Sequence, residues 1–148
     1  MEFLIQPLSD KIGTAIPLPY YATDGAAALD LHACTDGDVT IAPHERVMIP
    51  TGIAVAIPEG YVGIMAVRSS MGAKHGITLA NSIGVIDSDY RGQLHVTLYN
   101  TTESTYTVHS GDRIAQLMVM PVARPTIKVV DTLPETERGT GGFGSTGR

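Results

Sequence analysis

The sequence predicts an all-β domain, a sandwich or barrel of short strands. Three observations carry that expectation. Alternating or wholly apolar runs recur roughly every 8–12 residues, with turn-forming residues between them. The chain holds 16 glycines and 9 prolines, many for a helical protein and ordinary for strands joined by turns. Only residues 69–76, SSMGAKHG, look helical, and they are few.

Along the chain, residues 27–33 (AALDLHA) form an apolar strand interrupted by Asp30. Residues 38–42 (DVTIA) are followed by the turn PHE. Residues 46–60 place apolar side chains at Val47, Ile49, Ile53, Val55 and Ile57, and Pro50, Gly52 and Pro58 break the run. Residues 61–67 (YVGIMAV) lead into the short helix, which Ser69 or Ser70 caps and Gly76 ends. In residues 84–94 (GVIDSDYRGQL) the apolar pair Val85 and Ile86 runs straight into Asp87 at the edge of an expected hairpin. A cleanly alternating strand follows from Leu94 to Tyr99. Residues 105–123 alternate, turn at 110–112 and become apolar again, and residues 126–132 (TIKVVDT) read as one more strand. From about residue 134 alternation stops, and five of the last ten residues are glycine. Such a tail buries too little surface to offset its ordering entropy. The expected division is therefore a β domain over 1–134 and a flexible arm over 135–148.

A chain of 148 residues, 43% hydrophobic and 17% charged, suits one globular domain. Its formal charge of −5 argues against a grip on long nucleic acid. A small polyanion remains compatible, because backbone N–H groups hold phosphate without a basic protein. One cysteine, Cys34, allows no internal disulfide. The first residues lack a basic leader, and no apolar stretch approaches the roughly 20 residues of a membrane span, so the cytoplasm is the expected compartment.

Five stretches carry polar chemistry, each with a plainer alternative. Asp87 beside Tyr90 suits a general base next to a ring that supports a sugar; equally, Asp, Ser and Gly make turns. Arg68, Ser69 and Ser70, at a strand-to-helix junction, suit an anion or simply a helix cap. Arg113 and Gln116 are polar residues in an otherwise buried strand, which the outward face of a hairpin also explains. Asp30 needs an arginine, a backbone donor or a metal-bound water. The tail RGTGGFGSTG (138–147) offers glycines, hydroxyls and Phe143, but Ser145 stands where a phosphate-loop lysine belongs. The five histidines, at 32, 44, 75, 95 and 109, have no metal-binding spacing.

In their order and wording, AALDLHA, VRSSMG, GVIDSDYRGQL, GDRIAQLM and RGTGGFGSTG resemble the five motifs of the trimeric deoxyuridine triphosphate nucleotidohydrolases, the dUTPases. The likeness covers roughly residues 15–148, including the connecting PTGIAVAIP and KHGITLANSIG. It implies a β jelly roll, a homotrimer, and active sites built from all three chains, with the tail as a lid. The implied reaction is hydrolysis of dUTP to dUMP and pyrophosphate, which supplies dUMP for thymidylate synthesis and keeps uracil out of DNA.

The same resemblance implies residue roles. Asp87 would hold and deprotonate a water attacking the α-phosphorus, with Mg2+ carried mainly by the phosphates and Asp30 holding a metal-bound water. Asn81 and backbone groups near Val85 and Ile86 would read uracil from the hairpin over 79–90, and Tyr90 would lie under the deoxyribose. Arg68, Ser69, Ser70 and Gln116 match phosphate-side positions, and His95 a further contact. Phe143 would stack on the base while Arg138, Gly144, Ser145 and Thr146 cover the β- and γ-phosphates. Val67, Ala28 and Gln93 depart from the usual Pro, Gly and Glu and remove no reacting group. A dCTP deaminase of the same superfamily and a non-catalytic jelly-roll binding module are the alternatives.

Overall fold

A computed structural model describes residues 2–142. Its elements follow in the order β1 (Leu4–Pro7), β2 (Leu29–His32), β3 (Val39–Ile41), β4 (Arg46–Ala56), β5 (Tyr61–Val67), α1 (Ser69–His75), β6 (Ile77–Leu79), β7 (Gly84–Ile86), β8 (Gln93–Asn100), β9 (Tyr106–Val108) and β10 (Arg113–Pro121). Two four-stranded sheets, β1-β4-β8-β6 and β2-β10-β5-β7, and the ribbon β3-β9 make a jelly roll. Every strand pairing is antiparallel. Among the described residues no helix is long and apolar enough to cross a membrane.

The alternation read from the sequence sets the core. In β8, Leu94, Val96, Leu98 and Asn100 are buried, while Gln93, His95, Thr97 and Tyr99 face the other way. The buried set packs with Ile49, Ile53 and Val55 of β4, Leu31 of β2, Met65 of β5 and Leu117 of β10. Asn100 is tolerated there because its amide donates to the carbonyls of Ile41, Ala42 and Ser104, and its oxygen accepts from Thr102.

Four local expectations are corrected. Pro50 and Gly52 do not end a strand: β4 runs through all 11 residues, with the register to β8 shifting between Pro50 and Ala54. The irregular stretch stays satisfied because Cys34 N–H donates to Pro50 O at 2.8 Å and Leu8 N–H to Gly52 O at 2.8 Å. Residues 126–132 form no strand, and Ile127 and Val129 are 90% and 93% exposed. β10 ends at Pro121, which has no N–H to continue a ladder, and no strand among the described residues runs beside the segment. Ser69 and Ser70 do not cap α1; Arg68 occupies the cap position and no side chain bonds there. Gly76 does end the helix, in the left-handed conformation at φ 62°. The expected hairpin over 79–90 is instead a crossover, because β6 pairs with β8 in one sheet and β7 with β5 in the other.

Gly52 sits at φ +71°, and a Cβ there would lie 2.6 Å from Cys34 Sγ and 2.9 Å from Cys34 Cβ. Gly52→Ala should therefore lower stability by about 2–4 kcal/mol in urea denaturation at fixed protomer concentration. Adding Cys34→Ala should recover part of the loss, because removing Sγ relieves the tightest contact and leaves the Cβ contact and the backbone strain.

Candidate active site

Polar chemistry collects at the two ends of β5. Ile86 of β7 lies opposite Gly63, so the chain leaving β7 emerges near the start of β5. Arg68 follows the last residue of β5. Gly63 and Arg68 are five residues apart, which an extended strand converts to roughly 17 Å.

At the first end, residues 87–90 form a turn closed by Tyr90 N–H donating to Asp87 O at 3.2 Å. Arg91 Nη1 reinforces it by donating to Ser88 O at 2.7 Å and Tyr90 O at 2.8 Å. The Tyr90 ring lies against Gly92, where a Cβ would collide with Oη and stand 2.6 Å from Cζ. Only glycine leaves room for the ring, whose hydroxyl then donates to Gln93 O at 3.0 Å. This turn borders a cleft of about 310 Å3, lined by Met48, Val85, Ile86, Asp87, Tyr90, Gln93, Leu94 and His95. Asp87 and Val85 also line a second cleft of about 710 Å3, with Glu59, Tyr61, Arg91 and Arg124. The Asp87 carboxylate therefore stands on the wall between an apolar slot and a charged, open one. Among the described residues β7 is the last strand of its sheet, so one of its backbone edges is unpaired by them beside the smaller cleft.

At the other end, Asp30 of β2 is 3% exposed. Arg113 Nη1 donates to it at 3.1 Å and Gln116 Nε2 at 3.3 Å. Arg68 Nε lies 3.5 Å from Asp30 Oδ1, an ion-pair separation outside hydrogen-bond geometry. One buried carboxylate thus gathers two donors from β10 and a cation from the residue before α1. Arg68, Arg113 and Ser70 line a polar cleft of about 580 Å3, with His32, Tyr20, His75 and Tyr106. Burial, opposed by Asp30 and reinforced by Arg113 and Arg68, holds the His32 imidazole below its ordinary range.

The structure brings Asp87, Val85, Ile86, Tyr90 and His95 into one cleft, and Arg68, Ser70 and Gln116 to the opposite end of β5. Ser69 is exposed at the start of α1, and Asn81 is exposed in the crossover, where its carbonyl accepts from Ile83 N–H at 2.7 Å. Arg138 lines none of these clefts; its Nε donates to Gly141 O at 2.9 Å. Phe143, Gly144, Ser145 and Thr146 lie outside the described residues. Sequence reasoning missed Met48, Arg91 and the Gln93 carbonyl as parts of the site. It left Arg113 open between a site residue and the outward face of a strand; Arg113 is exposed and also pairs with Asp30, an acid in an apolar strand that needs a cation.

Among the described residues no group of three or more His, Cys, Asp or Glu is placed to hold a metal. A carboxylate has about four lone-pair sites, so Asp30, with its protein donors in place, has room for a water-mediated contact and not for a cage.

A jelly roll with a cation-lined cleft at one end of a strand and an apolar, carboxylate-bearing cleft at the other is of the kind that binds nucleotides. Such a ligand has an anionic end and a flat end that hydrogen bonds along its edge. The family model described as dUTPase matches residues 14–147, and the chain belongs to the dUTPase family. It is 50% identical over 142 residues to the deoxyuridine 5'-triphosphate nucleotidohydrolase of Tolumonas auensis, covering 95% of this chain and 94% of that one. It is 49% identical over 140 residues to the enzyme of the same name from Roseobacter denitrificans, covering 94% and 92%. The Staphylococcus bacteriophage 80alpha dUTPase, solved with dUPNHPP, superposes with a TM-score of 0.89 at 28% identity, covering 99% of each chain. A mutant dUTPase from phage phi11 of S. aureus, described for its coordination of a structural Mg(II) ion, superposes at 0.80 with 25% identity, covering 91% of this chain and 100% of that one.

Asp30→Ala leaves Arg68 and Arg113 without their shared counterion. Both cations keep some solvent contact, so the expected loss is about 2–4 kcal/mol in urea denaturation with EDTA present, where no metal contributes.

Proposed function

We propose that this protein hydrolyses dUTP to dUMP and pyrophosphate, with Asp87 as the catalytic residue. The observation that carries the reading is the placement of Asp87 on a braced turn, beside the Tyr90 ring and the edge of β7. Uracil binds along that edge, where backbone groups near Val85 and Ile86, with Asn81, meet its carbonyls and N–H. Thymine is rejected by lack of room for its methyl group, and cytosine because its donor and acceptor are exchanged. The deoxyribose lies on Tyr90, which leaves no space for a 2′-hydroxyl.

Asp87 then holds a water in line with the α-phosphorus. As the water oxygen bonds to that phosphorus, its proton passes to the carboxylate and the bond to the bridging oxygen breaks, releasing pyrophosphate. Positioning provides most of the effect of Asp87. Arg68, Ser69, Ser70 and Gln116 bind phosphate oxygens. Mg2+, if carried by the triphosphate, would supply charge neutralisation there, and Asp30 would be the residue to hold one of its waters.

The two halves of the site stand at opposite ends of β5, which supports completion by a second copy that brings its Arg68 end to this chain's Asp87 end. A closed ring of three copies satisfies every such contact. Residues 135–148 act as the lid, with Phe143 on the base and Arg138, Gly144, Ser145 and Thr146 over the phosphates. The cytoplasm is the proposed compartment.

Pyrophosphate release, measured in parallel on dUTP, dTTP, dCTP and UTP with and without Mg2+, tests the reading. Turnover confined to dUTP is expected; ammonia released from dCTP would point to the deaminase instead. Asp87→Asn should lower kcat on dUTP by about 10²–10⁴-fold and leave nucleotide binding intact. Removing residues 138–148 should nearly abolish hydrolysis while sedimentation still reports a trimer; loss of the trimer would make the tail a structural strap.

A further inference from the structure

β2 carries Asp30 and His32 on one face, because side chains two residues apart on a strand share a face. In register, Asp30 stands opposite Gln116 and His32 opposite Arg113 of β10. His32 is 6% exposed and lines the 580 Å3 cleft together with Arg68, Ser70 and Arg113. The Tyr20 ring stacks on its imidazole, with centroids 6.3 Å apart and planes 21° from parallel. Asp30 N–H donates to Tyr20 O at 3.3 Å, which holds the tyrosine beside β2 and so steadies the plane of the histidine ring.

The two ring nitrogens of His32 are not equivalent. Nδ1 is buried and meets no partner among the described residues, which leaves Nε2 as the nitrogen that faces the cleft. A buried N–H without an acceptor is a costlier orphan than a buried lone pair, so Nδ1 keeps the lone pair and Nε2 carries the proton. The imidazole is therefore a neutral donor aimed into the cleft. The charges around it nearly cancel: Arg68 and Arg113 share Asp30, and Asp112 is a second acid in the lining. An anion seated there gains little from net charge and depends on how many N–H and O–H groups point at it. In the proposed reaction Asp87 of another copy stands at the α-phosphorus, so the Arg68 end receives the two outer phosphates that leave as pyrophosphate. We propose that His32 is a specificity-determining residue whose Nε2–H donates to an oxygen of those outer phosphates, so that the cleft separates a nucleoside triphosphate from its monophosphate. This deepens the dUTP reading of the site and rests on it.

The test measures Kd by calorimetry, with Mg2+ present, for the non-hydrolysable analogue dUPNHPP and for dUMP, in the parent, His32→Leu and His32→Gln. dUMP has the same base, sugar and α-phosphate and lacks the outer pair. The preference for dUPNHPP over dUMP should fall about tenfold in His32→Leu, with Kd for dUMP unchanged, and return to within about threefold of the parent in His32→Gln, whose amide N–H reaches the same place. A preference that stays at the parent value in His32→Leu, or falls equally in His32→Gln, overturns the proposal. Imidazole 15N chemical shifts of the parent need no substitution. A bare Nδ1 and a protonated Nε2 are expected, with the Nε2 resonance moving when pyrophosphate is added with Mg2+; a proton on Nδ1, or an Nε2 resonance indifferent to pyrophosphate, overturns the assignment. A parent that leaves dUTP uncleaved would remove the dUTP reading, and this proposal with it; that failure is distinguishable because it appears before any substitution is made.

Discussion

Strand β5 is the ruler of the molecule. Its start is paired with the strand that delivers Asp87, and its end delivers Arg68. The peptide geometry of an extended strand keeps these groups roughly 17 Å apart, farther than one carboxylate and one phosphate-binding arginine can reach to a common atom. No side-chain rotamer closes such a gap. The separation supports our proposal that the jelly roll contributes to two different sites, with the arginine end of one copy meeting the carboxylate end of another.

Each end is braced by a different physical device. The cationic end depends on burial, with Asp30 inside β2 drawing Arg68, Arg113 and Gln116 around it. Removing water strengthens those pairings and makes each partner costly to lose. The carboxylate end depends on backbone acceptors. Arg91 ties two carbonyls of the turn, Gln93 ties Tyr90 and His95, and Gly92 provides the space. Preorganisation here comes from hydrogen bonds to main chain, which suits the proposed reaction, in which placing a water carries most of the effect.

Much of this was legible in the sequence because period-2 patterning speaks directly about faces. Leu94, Val96 and Leu98 announced a half-buried strand, and SSMGAKHG announced a helix that Gly76 stops. What was not legible depended on partners distant in sequence. Pro50 and Gly52 looked like breaks because local propensity gives no sign that Cys34 and Leu8 will satisfy the bulged backbone. Residues 126–132 have the alternation of a strand, but a strand is a pair, and the pattern in one chain does not name its neighbour. The segment over 79–90 looked like a hairpin for the same reason: two short apolar runs around a turn do not reveal that they belong to different sheets. In the site, the motifs pointed to Asp87, Tyr90 and Arg68, of which the first two share one cleft and the third lies at the other end of β5. The counterion of Arg113 and the shared acceptor of Tyr90 and His95 needed three dimensions.

Subunit complementation tests the central claim most directly. Asp87→Asn and Arg68→Ala chains, each inactive alone, are co-expressed with different tags and purified as mixed assemblies. If each site joins Asp87 of one copy to Arg68 of another, every mixed threefold ring keeps about one site in three with both groups intact, and pyrophosphate release from dUTP returns to about a third of the parent value. Mixed assemblies no more active than the two variants apart would place both groups in the same chain's site and contradict the account.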